Sequence, residues 1–507
     1  MFGFHKRIVD NYKEVERKYQ RINMINWRLI SYVLGILLLM ETGLFLICMF
    51  VSLFYGDSDY LCFVMAMGFS TGVGLLLILV GKNAENQMTR RDGYFIVSVT
   101  WILFTVFGML PFYFSEDITT ITDAFFETMS GFTTTGATIL DDIESLSKGL
   151  LFWRSLTQWV GGLGIVFFTI ALLPIFSGSG QRLFMSEATG VMHNKIHPKI
   201  SVMARWLWIV YVILTVAETV LLMFGGMDLF DAVCHAFSTT ATGGFSTKQD
   251  SVAYWNSPYI EYVVAIFMIL SGVNFSLYLS AVKGHWKKEL KDNELHWFLW
   301  SVGILTLIIT LALFFNDYYD FEESFRKALF QVATAHTSCG FATDDYNLWP
   351  QFTWMLLIYA MISGGCTGST SGGIKNMRLL IVVRGIKNQF KQMLHPRAVL
   401  PVRYNKEVVS ESVVSTVFAF VVAYIGCIFV GWLLLMLFGV GLTEAMSTVV
   451  SSIGNVGPGL GAFGPVFSWS ALPDAAKWTL SVLMLIGRLE IFVVLQLFYR
   501  GFWIKDE

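Results

Sequence analysis

Apolar residues fall in long blocks along this chain, and short polar stretches carrying most of the Lys and Arg separate alternate pairs of them. A helix crossing a 30 Å hydrocarbon core needs about 20 mostly apolar residues. Ten blocks reach that scale, at about 27–54, 62–80, 94–114, 150–176, 204–224, 259–282, 296–315, 352–384, 408–438 and 478–498. Four shorter helical segments lie between members of the last eight blocks, and each ends in a glycine-centred strip. The strips are Thr134-Thr135-Gly136, Thr242-Gly243-Gly244, Ser338-Cys339-Gly340 and Asn455-Val456-Gly457. The third residue of each stands thirteen positions after Asp123, Asp231, Lys327 or Glu444, every one of which is followed by alanine.

Repetition at one spacing, about every hundred residues, signals a multi-unit architecture. Extended backbone at membrane depth is tolerated only where it is buried or lines a water-filled path. The pattern therefore predicts an all-α polytopic membrane protein with four span–pore-helix–span repeats. These surround one pore with pseudo-fourfold symmetry, and an N-terminal two-helix hairpin stands outside the pattern. The predicted divisions are a cytoplasmic segment at 1–26, the hairpin at 27–92, and repeats at 93–200, 201–293, 294–406 and 407–507.

Composition agrees. The chain is 507 residues long, 55% hydrophobic and 14% charged, with a net charge of −2; soluble proteins of this length are rarely so apolar. Six cysteines are scattered through apolar stretches without CxxC spacing and read as small apolar residues. The polar, basic first 26 residues read as a cytoplasmic lead-in, not a signal peptide. Charge then orients the chain. Lys6, Arg7, Lys13, Arg17, Lys82, Arg90, Arg182, Lys195, Lys283, Lys287, Arg384, Lys391 and Arg403 fall on one side, against chiefly Lys148, Lys248, Arg326 and Lys327 on the other. By the positive-inside rule both termini are cytoplasmic.

Each short helix then enters from outside, with the negative end of its dipole toward the bilayer centre, which favours a cation there. Backbone carbonyls of Thr134, Thr135, Thr242, Gly243, Ser338, Cys339, Asn455 and Val456 can replace hydration water around a monovalent ion. Gly136, Gly244, Gly340 and Gly457 permit the backbone angles and close approach this needs.

The segments 130–138, 243–247, 364–375 and 455–459 resemble TrkH-type potassium uptake proteins of the TrkH/KtrB/HKT superfamily, in order and over essentially the whole chain from residue 27. The extra hairpin matches the TrkH branch better than KtrB. Sodium-favouring plant relatives often carry serine at the first filter glycine, where this chain has Gly136. The resemblance implies potassium uptake across the bacterial cytoplasmic (inner) membrane. It further implies a homodimer and a cytosolic TrkA-type ring that binds NAD(H) or ATP, with no cofactor on this chain. A gated channel and a proton- or sodium-coupled symporter both fit this layout. The alternative within the same architecture is a sodium-permeable or weakly selective transporter.

Two features bear on gating. The eighth block is interrupted by Gly364, Gly365, Gly368, Gly372 and Gly373, followed by Lys375; each glycine in a helix costs about 1 kcal/mol relative to alanine. This run is either a two-state gate, as the resemblance implies, or an inert kink. Arg488 reads as the one Arg or Lys well inside a span core, a functional position by default. The resemblance makes it an electrostatic barrier below the filter; a local pair with Glu490 is the other reading.

Other features read as structural. His235 and His336 are expected to pack or hydrogen-bond, and Asp141, Asp142 and Glu144 are read as solvated loop acids or cation-concentrating groups at the outer mouth. The stretch 368–375 lacks the Gly-Lys-Ser/Thr ending of a phosphate loop. No constellation of intramembrane acids, histidines or a metal motif points to an enzyme.

Overall fold

The computed structural model describes residues 25–84, 88–164 and 200–503. Most of the cytoplasmic lead-in, the second half of the fourth predicted span and the basic positions Arg182 and Lys195 lie outside these. The described chain is helical apart from a two-stranded antiparallel hairpin, β1 (Arg403–Tyr404) and β2 (Glu407–Val408).

Helices α1 (Trp27–Tyr55) and α2 (Tyr60–Gly81) form the N-terminal hairpin. Phe54 and Leu79 are 83% and 65% exposed, as expected for faces turned to lipid. Helix α3 (Arg90–Gly108) starts at a capping box between Thr89 and Asp92 and runs on through α4 (Leu110–Phe114).

The four short helices are α5 (Ile121–Phe132), α8 (Leu229–Ala241), α12 (Phe321–His336) and α16 (Leu442–Gly454). Helices α6 (Lys148–Leu163), α7 (Ile200–Phe224), α9 (Pro258–Ser271), α10 (Phe275–Ser280) and α11 (Asn293–Phe315) lie among the first three. Helices α13 (Gln351–Ser363), α14 (Asn376–Leu394), α15 (Glu411–Leu437), α17 (Asp474–Arg488) and α18 (Ile491–Leu495) complete the bundle.

Among the described residues six helices are long and apolar enough to cross a membrane alone, and two bent pairs raise the count to eight. The eighth predicted span is broken between α13 and α14, as its glycines indicate. Two others, predicted as continuous, are not. The sixth bends by 88° between α9 and α10, and the tenth by 115° between α17 and α18. The causes are local. Gly272 and Asn274 end α9, with the Gly272 carbonyl accepting from Cys366 N at 2.8 Å. At the other break Glu490 adopts φ 62° and pairs with Arg378.

Candidate functional site

Each short helix is started and stopped by its own sequence. Thr120, Asp228 and Asp320 cap the first three, accepting from the backbone N–H three residues on at 3.1, 2.9 and 2.8 Å. All four helices stop in the same way. The first strip residue is left-handed, with φ 52° at Thr134, 55° at Thr242, 56° at Ser338 and 52° at Asn455. The next amide then reaches back to the helix: Thr135 N to Ser130 O, Gly243 N to Ser238 O and Cys339 N to Thr334 O at 2.8 Å, and Val456 N to Ser451 O at 2.9 Å. This is the Schellman stop. A residue with a Cβ in that conformation costs about 1–2 kcal/mol, and the paired backbone bonds offset it. The third position returns to positive φ, at 81°, 79°, 93° and 106° for Gly136, Gly244, Gly340 and Gly457.

The strips meet in cyclic order. A Cβ added to Gly136 would overlap the Gly243 oxygen, one on Gly244 the Cys339 oxygen, and one on Gly340 the Val456 oxygen. One on Gly457 would lie 2.7 Å from the Thr135 oxygen, which closes the ring. The four glycines also line a single cavity. The twelve residues that the sequence singles out are therefore brought together around one centre, each glycine against the second residue of the next strip. Asn455 Nδ2 donates to Thr135 Oγ1 at 3.1 Å and to Met484 O at 2.9 Å, tying the fourth strip to the first. Cys339 is buried, its thiol 4.0 Å from Ser238 O.

The glycine-rich loop packs directly on this ring. Gly372 N donates to Ser338 Oγ at 2.5 Å, and a Cβ on Gly372 would overlap Gly454 O at the end of α16. Gly364, Gly368 and Gly373 have positive φ, as does Lys375 at 77°. Gly365 O accepts from Asn376 N at 3.0 Å, and the Lys375 ammonium donates to Ser371 O. Arg488 reaches across: its guanidinium donates to Thr370 O in the loop and to Gly161 O and Gly162 O at the end of α6, each at 2.7 Å. It thus joins the loop to the first repeat, while Glu490 pairs with Arg378.

Other basic groups in these helices are more deeply buried than the half-buried Arg488. Arg154 on α6 is 2% exposed and bonds Glu127 Oε1 at 2.8 Å. Gln158, one turn later, is wholly buried against the second strip. Neither is a candidate in the sequence, since both sit inside an apolar run distant in number from the residues they touch. Glu41 and Glu218 are buried acids on α1 and α7. The histidines hydrogen-bond as expected: His235 to Asp231 O and Ser246 Oγ, and His336 to Ser301 Oγ and Ser363 Oγ. Asp141 accepts from Ser470 Oγ at 2.8 Å, which makes it a loop brace.

Comparison with known proteins identifies the family and the fold. The family model described as "TrkH: Cation transport protein" matches residues 64–501. The chain is 38% identical over 483 residues to the Trk system potassium uptake protein TrkH of Salmonella typhimurium, covering 94% of this chain and all of that protein. It is 35% identical to TrkG of Escherichia coli, covering 95% of this chain and again the whole of the relative. The crystal structure of the potassium transporter TrkH from Vibrio parahaemolyticus superposes with a TM-score of 0.85 at 34% identity, covering 94% of this chain and 99% of that one. With four Schellman-stopped helices closing a ring of glycines and with relatives matched end to end, this chain belongs to the TrkH family of cation transport proteins.

Proposed function

We propose that this protein takes up potassium across the bacterial cytoplasmic membrane, through a filter made by the four strips. The observation that carries the reading is the cyclic contact of Gly136, Gly244, Gly340 and Gly457, each with the second residue of the next strip. A ring of neutral backbone with helix C-termini directed at it suits a dehydrated monovalent cation. Carbonyls of the first two residues of each strip supply the ligands. The Gly243 oxygen already accepts from Gln158 Nε2 at 2.7 Å, and its remaining lone pair leaves it able to face an ion.

Below the ring the loop bearing Gly364, Gly365, Gly368, Gly372, Gly373 and Lys375 is the gate, and Arg488 is both its latch and a positive barrier. The Gly372–Ser338 and Arg488–Thr370 bonds support that reading, because either can be broken without disturbing a helix. With both termini cytoplasmic, the basic positions Arg384, Lys391 and Arg403 offer a dock for a TrkA-type ring carrying NAD(H) or ATP, and the transporter works as a homodimer. Gly136 favours potassium over the sodium-permeable alternative.

The test is uptake of potassium, rubidium, sodium and lithium into proteoliposomes. Potassium and rubidium entering well ahead of sodium and lithium supports the reading. Equal entry of all four cations contradicts it.

A further inference from the structure

The four strips differ at their second position. Thr135, Cys339 and Val456 carry side chains there, while Gly243 carries none. The space is filled from another helix. A Cβ on Gly243 would overlap the Gln158 carboxamide carbon and lie 2.5 Å from its oxygen and 2.9 Å from its nitrogen. That carboxamide brackets Gly244: Nε2 donates to Gly243 O at 2.7 Å, and Oε1 accepts from Phe245 N at 3.0 Å.

One turn earlier on α6, Arg154 donates to Ser246 O at 3.0 Å and lies 4.1 Å over the Phe245 ring. Its other side meets Glu127, which also accepts from the Thr138 hydroxyl and Ile139 N at 3.0 Å. Gln158 and Glu127 are no more than 1% exposed. One face of α6 therefore holds the second strip along its length and fastens it to the segment that follows the first.

We propose that Gln158 is a selectivity-determining positioning residue, whose carboxamide completes the second quadrant of the ring in place of a missing strip side chain. The Arg154–Glu127 pair fixes that quadrant against the first. The inference rests on the filter reading of the strips. Its physical content is distance. A carboxamide bonded to the strip at both ends stops the Gly243 backbone from closing around an ion smaller than potassium, and fixed donors and acceptors in a dry site hold geometry better than mobile ones.

The test is the potassium-to-sodium uptake ratio in proteoliposomes for Gln158→Ala, Gly243→Ser, the two combined, and Gly136→Ser as reference. Each single change at 158 or 243 is expected to lower the ratio by about tenfold, the scale of one lost buried hydrogen bond. The combined variant, which rebuilds a strip with its own side chain, should recover most of the native ratio. A role in folding alone would lower both fluxes together and leave the ratio unchanged. Where one single variant fails to reach the membrane, the other single variant against the combined one decides. If Gly136→Ser lowers the ratio while neither change at 158 nor 243 does, or if the combined variant is no better than the singles, the inference fails and the filter reading stands. If Gly136→Ser leaves the ratio unchanged, both fail.

Discussion

At the scale of single residues, the ring depends on glycines that cannot bear a Cβ. Gly136, Gly244 and Gly340 would drive one into the carbonyl of the next strip, whereas Gly457 leaves 2.7 Å to Thr135 O. Serine at any of the first three should therefore relax potassium-over-sodium discrimination more than serine at Gly457, as measured by uptake ratios. Each also forces a Cβ into positive φ, a strain of about 1–2 kcal/mol, so thermal stability should drop in all four. A uniform effect on selectivity would show that the close approach is not what matters. These positions were legible in the sequence, because the thirteen-residue spacing singles them out. The left-handed Thr134, Thr242, Ser338 and Asn455 were not, since short polar side chains also suit extended backbone. Gln158 and Arg154 were illegible for another reason: they act across about 90 positions, and no local pattern records a contact at that separation.

Elements tell a different story, in which breaks matter more than helices. The helix after each strip ends where it meets the short helices or the loop. Gly161 lies on Phe132 O, Gly272 on the Thr337 side chain, Gly364 on Gly372 O and Gly487 on Ile453 O. A run of five glycines made the third break readable. The sixth and tenth breaks each rest on a single glycine, Gly272 and Gly487, which a helix tolerates at modest cost, so hydropathy alone drew those spans straight through. Overpacking at these contacts typically costs about 1–3 kcal/mol. Gly487→Ala should accordingly lower the melting temperature of the purified protein; an unchanged temperature would mean that Gly487 and Ile453 are not held together.

The loop is also an element with a state to lose. Arg488→Ala removes three hydrogen bonds at 2.7 Å and a positive charge near the path. It should raise potassium flux in proteoliposomes with little change in the potassium-to-sodium ratio. Unaltered flux would reduce the loop to a kink.

For the whole molecule, the question is how the first and last repeats find each other across more than 300 positions. Lys477 Nζ pairs with Asp123 Oδ1 at 2.6 Å, Trp469 N donates to Thr138 O at 2.7 Å, and Asn455 bonds Thr135. Lys477 is 5% exposed at its side chain, so the ion pair is largely shielded from water. Replacing Lys477 by methionine should destabilise the protein by about 2 kcal/mol. A double-mutant cycle with Asp123→Asn should recover much of that loss, and full additivity would mean the pair does not close the ring. Repeat number, order and a single closed ring could be read from sequence, but the contacts that close the ring could not, because they join segments that share no local signal.

These four strips together are expected to hold the transported ion. Anomalous scattering from crystals grown in rubidium tests it most directly. A rubidium peak is expected on the axis between Gly136, Gly244, Gly340 and Gly457, within coordination distance of strip carbonyls. A peak elsewhere in the bundle, away from the strip carbonyls, would overturn that reading.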